Sequence, residues 1–130
     1  MSEQTAGYYL MKLQAGTGAP GAPTLNLTLG VYAPTGQVNG EAVITQAILA
    51  PESKIVVPQV TGAIHETGFG GNTRLIAVQG NYTVSVQPPA IGTYLAHFSA
   101  AIALGEDGTG RATFTYGGHV VSNVPVKTVG

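Results

Sequence analysis

Residues 15–33 read AGTGAPGAPTLNLTLGVYA, and two readings compete over them. The first takes Gly16-Thr17-Gly18-Ala19-Pro20-Gly21 as a literal G-x-G-x-x-G, with Glu41 twenty positions after Gly21 as the ribose-binding carboxylate of a dinucleotide fold. That reading needs a helix straight after the glycines, because the helix N-terminus holds the pyrophosphate. The residues that follow deny it. Leu25, Leu27, Leu29, Val31 and Ala33 alternate with Asn26, Thr28, Gly30 and Tyr32, which is the period-2 pattern of a half-buried strand. Pro20 and Pro23 also remove amide donors from the loop. The glycine stretch is therefore an extended connection between two strands, and the placing of Glu41 is a coincidence.

The same alternation spreads outward. Tyr9, Met11 and Leu13 form one face of a first strand, with Tyr8, Lys12 and Gln14 on the other. Ala33-Pro34-Thr35-Gly36 is a turn into a third strand whose inward set is Val38, Gly40, Ala42 and Ile44. A fourth strand runs from Ile55 to Thr67, and its Pro58 marks an edge or a bulge. Gly68 to Asn72 is a glycine-rich turn. Gly80-Asn81 between Arg74–Gln79 and Tyr82–Gln87 carries the signal of a two-residue hairpin. Residues 90–104 fit a helical face or a strand, and the absence of a capping box and of a charged outer face favours the strand. Gly105 to Gly110 is a loop, and Gly117-Gly118 joins a last hairpin of Arg111–Tyr116 and His119–Val126.

These elements predict one all-β domain over residues 1–130, an antiparallel sandwich or closed barrel of eight or nine short strands in meander order. Nineteen glycines, eight prolines and many Val, Thr and Tyr fit that class. The phrases GTGAPGAPTLNLTL (16–29), VNGEAVITQAI (38–48) and VSNVPVKTV (121–129) resemble a family of small bacterial β-domains catalogued only as a domain of unknown function. The resemblance covers nearly the whole chain and implies a bacterial, all-β, single-domain protein. It brings no catalytic residue with it.

Charge excludes several partners. Only 8% of residues are charged and the net charge is −1. Lys12, Lys54, Arg74, Arg111 and Lys127 are scattered, so no basic patch for nucleic acid or anionic membrane can form. There is no cysteine, hence no disulfide, zinc-thiolate site or thiol nucleophile. The opening residues lack the basic and apolar regions of a signal peptide, so the default location is the cytoplasm, with leaderless export as the other route.

The inventory for catalysis is thin. Asp107 sits in the turn Gly105-Glu106-Asp107-Gly108, Glu3, Glu41, Glu52 and Glu66 form no acid/base pair, and no Gly-x-Ser-x-Gly elbow is present. His65, His97 and His119 lie on three different strands without metal-ligand spacing. The expectation is a protein that is not an enzyme and holds no cofactor or metal. Among the aromatics, Tyr32 lies on the polar face of its strand, Phe69 in a glycine-rich turn and Tyr8 opposite the apolar face of the first strand. These three are the candidate partner or ligand contacts.

Two functions remain. The first is a structural domain that assembles with copies of itself, as a homo-oligomer, filament or lattice. Natural sheets guard their edges with charge, and the strands at 24–33 and 82–87 carry none. Both chain ends are expected to be held in a sheet or by neighbouring copies, with Ser2–Ala6 or Val126–Gly130 adding a strand to a neighbour. The second is a barrel or sandwich that binds a small ligand or a glycan in a hollow left by small inward residues such as Gly40, Ala42, Gly62 and Ala96.

Overall fold

A computed structural model describes residues 8–46, 54–69, 72–85 and 92–129. Alternating apolar residues and turn glycines produce eight strands and no helix among them. The strands are β1 (Tyr8–Ala15), β2 (Thr24–Tyr32), β3 (Gln37–Thr45), β4 (Lys54–Phe69), β5 (Asn72–Ser85), β6 (Thr93–Leu104), β7 (Thr109–Tyr116) and β8 (His119–Thr128). Each pairs antiparallel with the next, and β8 returns to β1, so the sheet is a closed meander barrel. Closure decides between the two predicted architectures, since a sandwich would leave two separate sheets.

Alternation sets the contents of the barrel. In β2 the inward Leu25, Leu27, Leu29 and Val31 are buried, while Thr28 and Tyr32 face outward. The other strands repeat this, and Phe98 and Phe114 are the largest fully buried side chains. Among the described residues no polar or charged side chain is buried. From Thr93 onward the stretch that fitted a helix or a strand forms β6, because Phe98, Ala100, Ile102 and Leu104 then share one inward face.

Two of the three register shifts among the described residues set the phase of the core. In β4, Val57 pairs with Ala42 and Val60 with Gly40, so Pro58 and Gln59 together oppose one residue and both valines point inward. The bulge is where Pro58 costs no ladder hydrogen bond. In β8, Val121 pairs with Phe114 and Val124 with Ala112. The extra residue is Asn123, at φ 52°, a conformation asparagine tolerates. Its amide donates to Thr113 Oγ1 at 3.0 Å, and Arg111 Nε donates to its Oδ1 at 3.0 Å.

Three expectations change. Gly80-Asn81 is not a turn: β5 runs unbroken through it, with Ile76, Val78, Tyr82 and Val84 keeping one inward parity. Glycine is needed there because a Cβ at residue 80 would stand 2.4 Å from the Gln59 carbonyl oxygen at the β4 bulge. Phe69 ends β4 rather than lying in a turn, its backbone paired with Asn72. The C-terminal stretch, expected to reach a neighbour, closes its own barrel through Val126–Thr128. Residues 2–6 lie outside the described residues.

The inward glycines allow close strand approach and leave no hollow of their own. A Cβ on Gly40 would lie 1.9 Å from the Thr28 carbonyl oxygen, and one on Gly62 1.8 Å from that of Ala77. The core therefore depends on its large side chains. Phe114→Ala is expected to cost about 3–5 kcal/mol, read by chemical denaturation.

Candidate functional site

The barrel closes with a stagger. An outward row starts on β1 at Leu10 and passes through Gly30, Asn39, Thr61, Gln79, Ser99 and Thr115 to Val120 on β8. Yet β8 meets β1 much further along, where Leu13, Gln14 and Ala15 pair with Thr128, Lys127 and Val126. Among the described residues, His119–Asn123 thus have no strand on their β1 side.

The glycine–proline loop explains the gap. Gly16 continues the ladder by one bond, its amide donating to the Pro125 carbonyl at 2.9 Å. Beyond it the chain turns at Gly18 (φ 78°) and Gly21 (φ 80°), and Pro20 and Pro23 have no amide to donate. A cleft of about 370 Å3 separates Pro23 from Val120 and Val121. The G-x-G-x-x-G letters therefore form a loop beside the seam that feeds a strand, with no helix dipole aimed at a phosphate.

The uncovered edge carries two valines and no charged residue of its own, with the Arg111 guanidinium of β7 held on Asn123 at its end. The tight turn at Gly117-Gly118 (φ 55° and 89°) makes Tyr116 and His119 its flanking pair. Such a pair exchanges hydrogen bonds, so the next residue, Val120, aims its N–H and C=O away from β7, at the gap. The Val120 side chain is 64% exposed, and Leu10, at the other end of the row, is 67% exposed.

The three predicted contact residues fall at the opposite end of the barrel. Tyr8 and Tyr32 are register partners on β1 and β2, both outward and exposed. The Tyr8 ring lies across Gly30, its hydroxyl 2.1 Å from where a Cβ on that glycine would stand. Phe69 ends β4 on the same rim, which the turn Ala33–Gly36 also occupies. Tyr8 and Tyr32 are thus brought together, and Phe69 shares only their end of the barrel. Sequence reading missed the β8 edge, because an open edge depends on which strand closes on which.

The titratable groups are dispersed. His97 Nδ1 lies 3.2 Å from Asn81 Oδ1, the His119 ring packs 5.2 Å from that of Tyr116, and His65 pairs in register with Leu75. Among the described residues no three His, Cys, Asp or Glu side chains cluster as metal ligands would. Asp107 has the turn role its neighbours suggest. Its Oδ1 accepts from the Thr109 amide at 3.0 Å and the Thr109 hydroxyl at 2.8 Å.

These features define an up-and-down β-barrel with a filled apolar core, an outer face that mixes polar with exposed apolar side chains and, among the described residues, an uncovered stretch of β8. The chain belongs to the family defined by a domain of unknown function, DUF1842, whose model matches residues 6–120. That bears out the resemblance to a domain of unknown function over the phrases at 16–29 and 38–48, and the match ends before the phrase at 121–129. No curated protein matches the sequence.

The Thr109 hydrogen bonds hold the Asp107 carboxyl below its ordinary range. A carboxylate whose pKa is lowered by folding stabilises the fold above its unfolded value of about 3.9, and that gain is lost as pH falls through the folded value. Asp107 is exposed and solvent-screened, so Asp107→Ala is expected to lower Tm only slightly at pH 7. The gap from wild type should narrow in thermal melts as pH falls below that unfolded value.

Proposed function

We propose that this barrel is a non-enzymatic structural module that assembles with copies of itself, docking through the open edge of β8. The observation that carries the reading is the overhang itself. His119–Ser122 present unpaired backbone groups on one side, with an exposed valine and no charged residue among them, while the Arg111 guanidinium is fastened to Asn123 at the end of the stretch. An edge of that kind is a template for a further strand, and natural barrels normally abolish it.

Two other features support it. The row from Leu10 to Val120 crosses all eight strands without one formal charge, and the next row, from Tyr8 through Tyr32, Ala63 and Ala101 to Thr113, has none either. A net charge of −1 gives little repulsion between copies. Antiparallel pairing of β8 with β8 of a second copy is self-complementary and closes around a twofold axis. The alternation, apolar inside and polar outside, is the inverse of a membrane barrel. Among the described residues no helix is long and apolar enough to cross a bilayer.

Sedimentation velocity on two variants tests the docking edge. Val120→Lys places a charge on the open edge and is expected to reduce the assembly to monomer mass without changing Tm by more than a degree or two. Thr28→Lys, on a strand paired on both sides, should leave the mass unchanged. Equal masses for both variants would remove β8 as the docking edge.

A further inference from the structure

The Pro58–Gln59 bulge does more than restore parity. It turns the first part of β4 away from β5. Lys54–Val57 pair with β3, whereas the pairing of β4 with β5 begins only at Val60 and Gly80. On the far side, β6 pairs with β7 only from Phe98 onward. The paired ends of β5 and β6, residues 81–85 and 93–97, therefore project past the barrel, and a wedge opens between them and β4.

That wedge is a cleft of about 540 Å3, within the range of small-molecule sites. Its lining has a consistent chemistry. Tyr82 and Tyr116 are buried at its base, and the His119 ring lies tilted against that of Tyr116. Ile55, Val84 and Ala96 are apolar and half-buried, while Tyr94, 57% exposed, and Leu95, 71% exposed, stand at its rim. Among the described lining residues Lys54 carries the one formal charge, and it is positive. The acidic side chains Glu106 and Asp107 lie in the β6–β7 turn, at the other end of the barrel.

We infer that this cleft is a binding site for a small planar aromatic anion, an aromatic carboxylate being the simplest member of the class. The rings and the aliphatic side chains take the flat apolar body. Tyr and His rings favour offset stacking on such a body. The Lys54 ammonium pairs with the carboxylate, and this contact separates the ligand from a neutral aromatic of the same shape. The cleft adjoins the gap beside β8, with Ile55, Tyr116 and His119 lining both, while Val120 and Val121 line the gap alone.

The test uses 2-naphthoate and its uncharged analogue 2-naphthamide, titrated into the 15N-labelled full chain and followed by amide shifts. Naphthoate is expected to shift the amides of Ile55, Val84, Ala96 and His119, and to bind about tenfold more tightly than naphthamide, the worth of one charge-assisted contact. Lys54→Gln should weaken naphthoate about tenfold and leave naphthamide unchanged. Tyr94→Ala, on an exposed side chain, should weaken both. The inference is overturned if millimolar naphthoate leaves those amides unmoved, if shifts of equal size appear around Leu75 on the outer wall, or if K54Q binds naphthoate as wild type does.

Discussion

An antiparallel sheet of eight strands closes on itself only if the strands are staggered, and the stagger here governs everything at the two ends of the barrel. The register that puts Ala15 opposite Val126 also sends the first residues of β8 past the end of β1. A residue with a free amide at each position after Gly16 could have continued β1 and covered them. The chain instead supplies Pro20 and Pro23 and two left-handed glycines. Closure therefore stays incomplete along one side, and the uncovered side is the feature on which the proposed assembly rests.

The stagger acts together with the bulges. With strict alternation from Lys54 onward, Val57 and Val60 could not both be inward, and one of two valines now fully buried would face water. The bulge at Pro58–Gln59 resolves this, and the wedge at the mouth is its geometric consequence. On β8, Asn123 plays the same part for Val121 and Val124, fastened by Arg111 and Thr113. Here backbone defects produce the features available for recognition, while the apolar core produces stability.

Much of the barrel was legible in the residues. Thr24–Tyr32 announces itself as a strand, Gly117-Gly118 as a hairpin turn and Pro58 as an edge or a bulge, because each depends on local rules of side-chain alternation or backbone conformation. Gly80-Asn81 misled for a physical reason. Glycine next to asparagine suits a tight turn, but it equally suits a strand passing close to another backbone. The unbroken parity of Ile76, Val78, Tyr82 and Val84 was the signal against a turn, since a two-residue hairpin would have put Val78 opposite Thr83. The site was less legible. The exposure of Tyr8 and Tyr32 follows from parity. The β8 edge and the wedge depend on which strands meet after closure, and that register is a long-range property that no short stretch encodes.

The amide of Val120 reports assembly through β8 most directly. In a lone barrel this N–H points into the gap, while those of His119 and Val121 face β7. Residue-resolved hydrogen exchange measured across a wide range of protein concentration should show Val120 exchanging quickly when dilute and gaining protection as concentration rises. His119 and Val121 should stay protected throughout. A Val120 amide that exchanges equally fast at every concentration would contradict assembly through this edge.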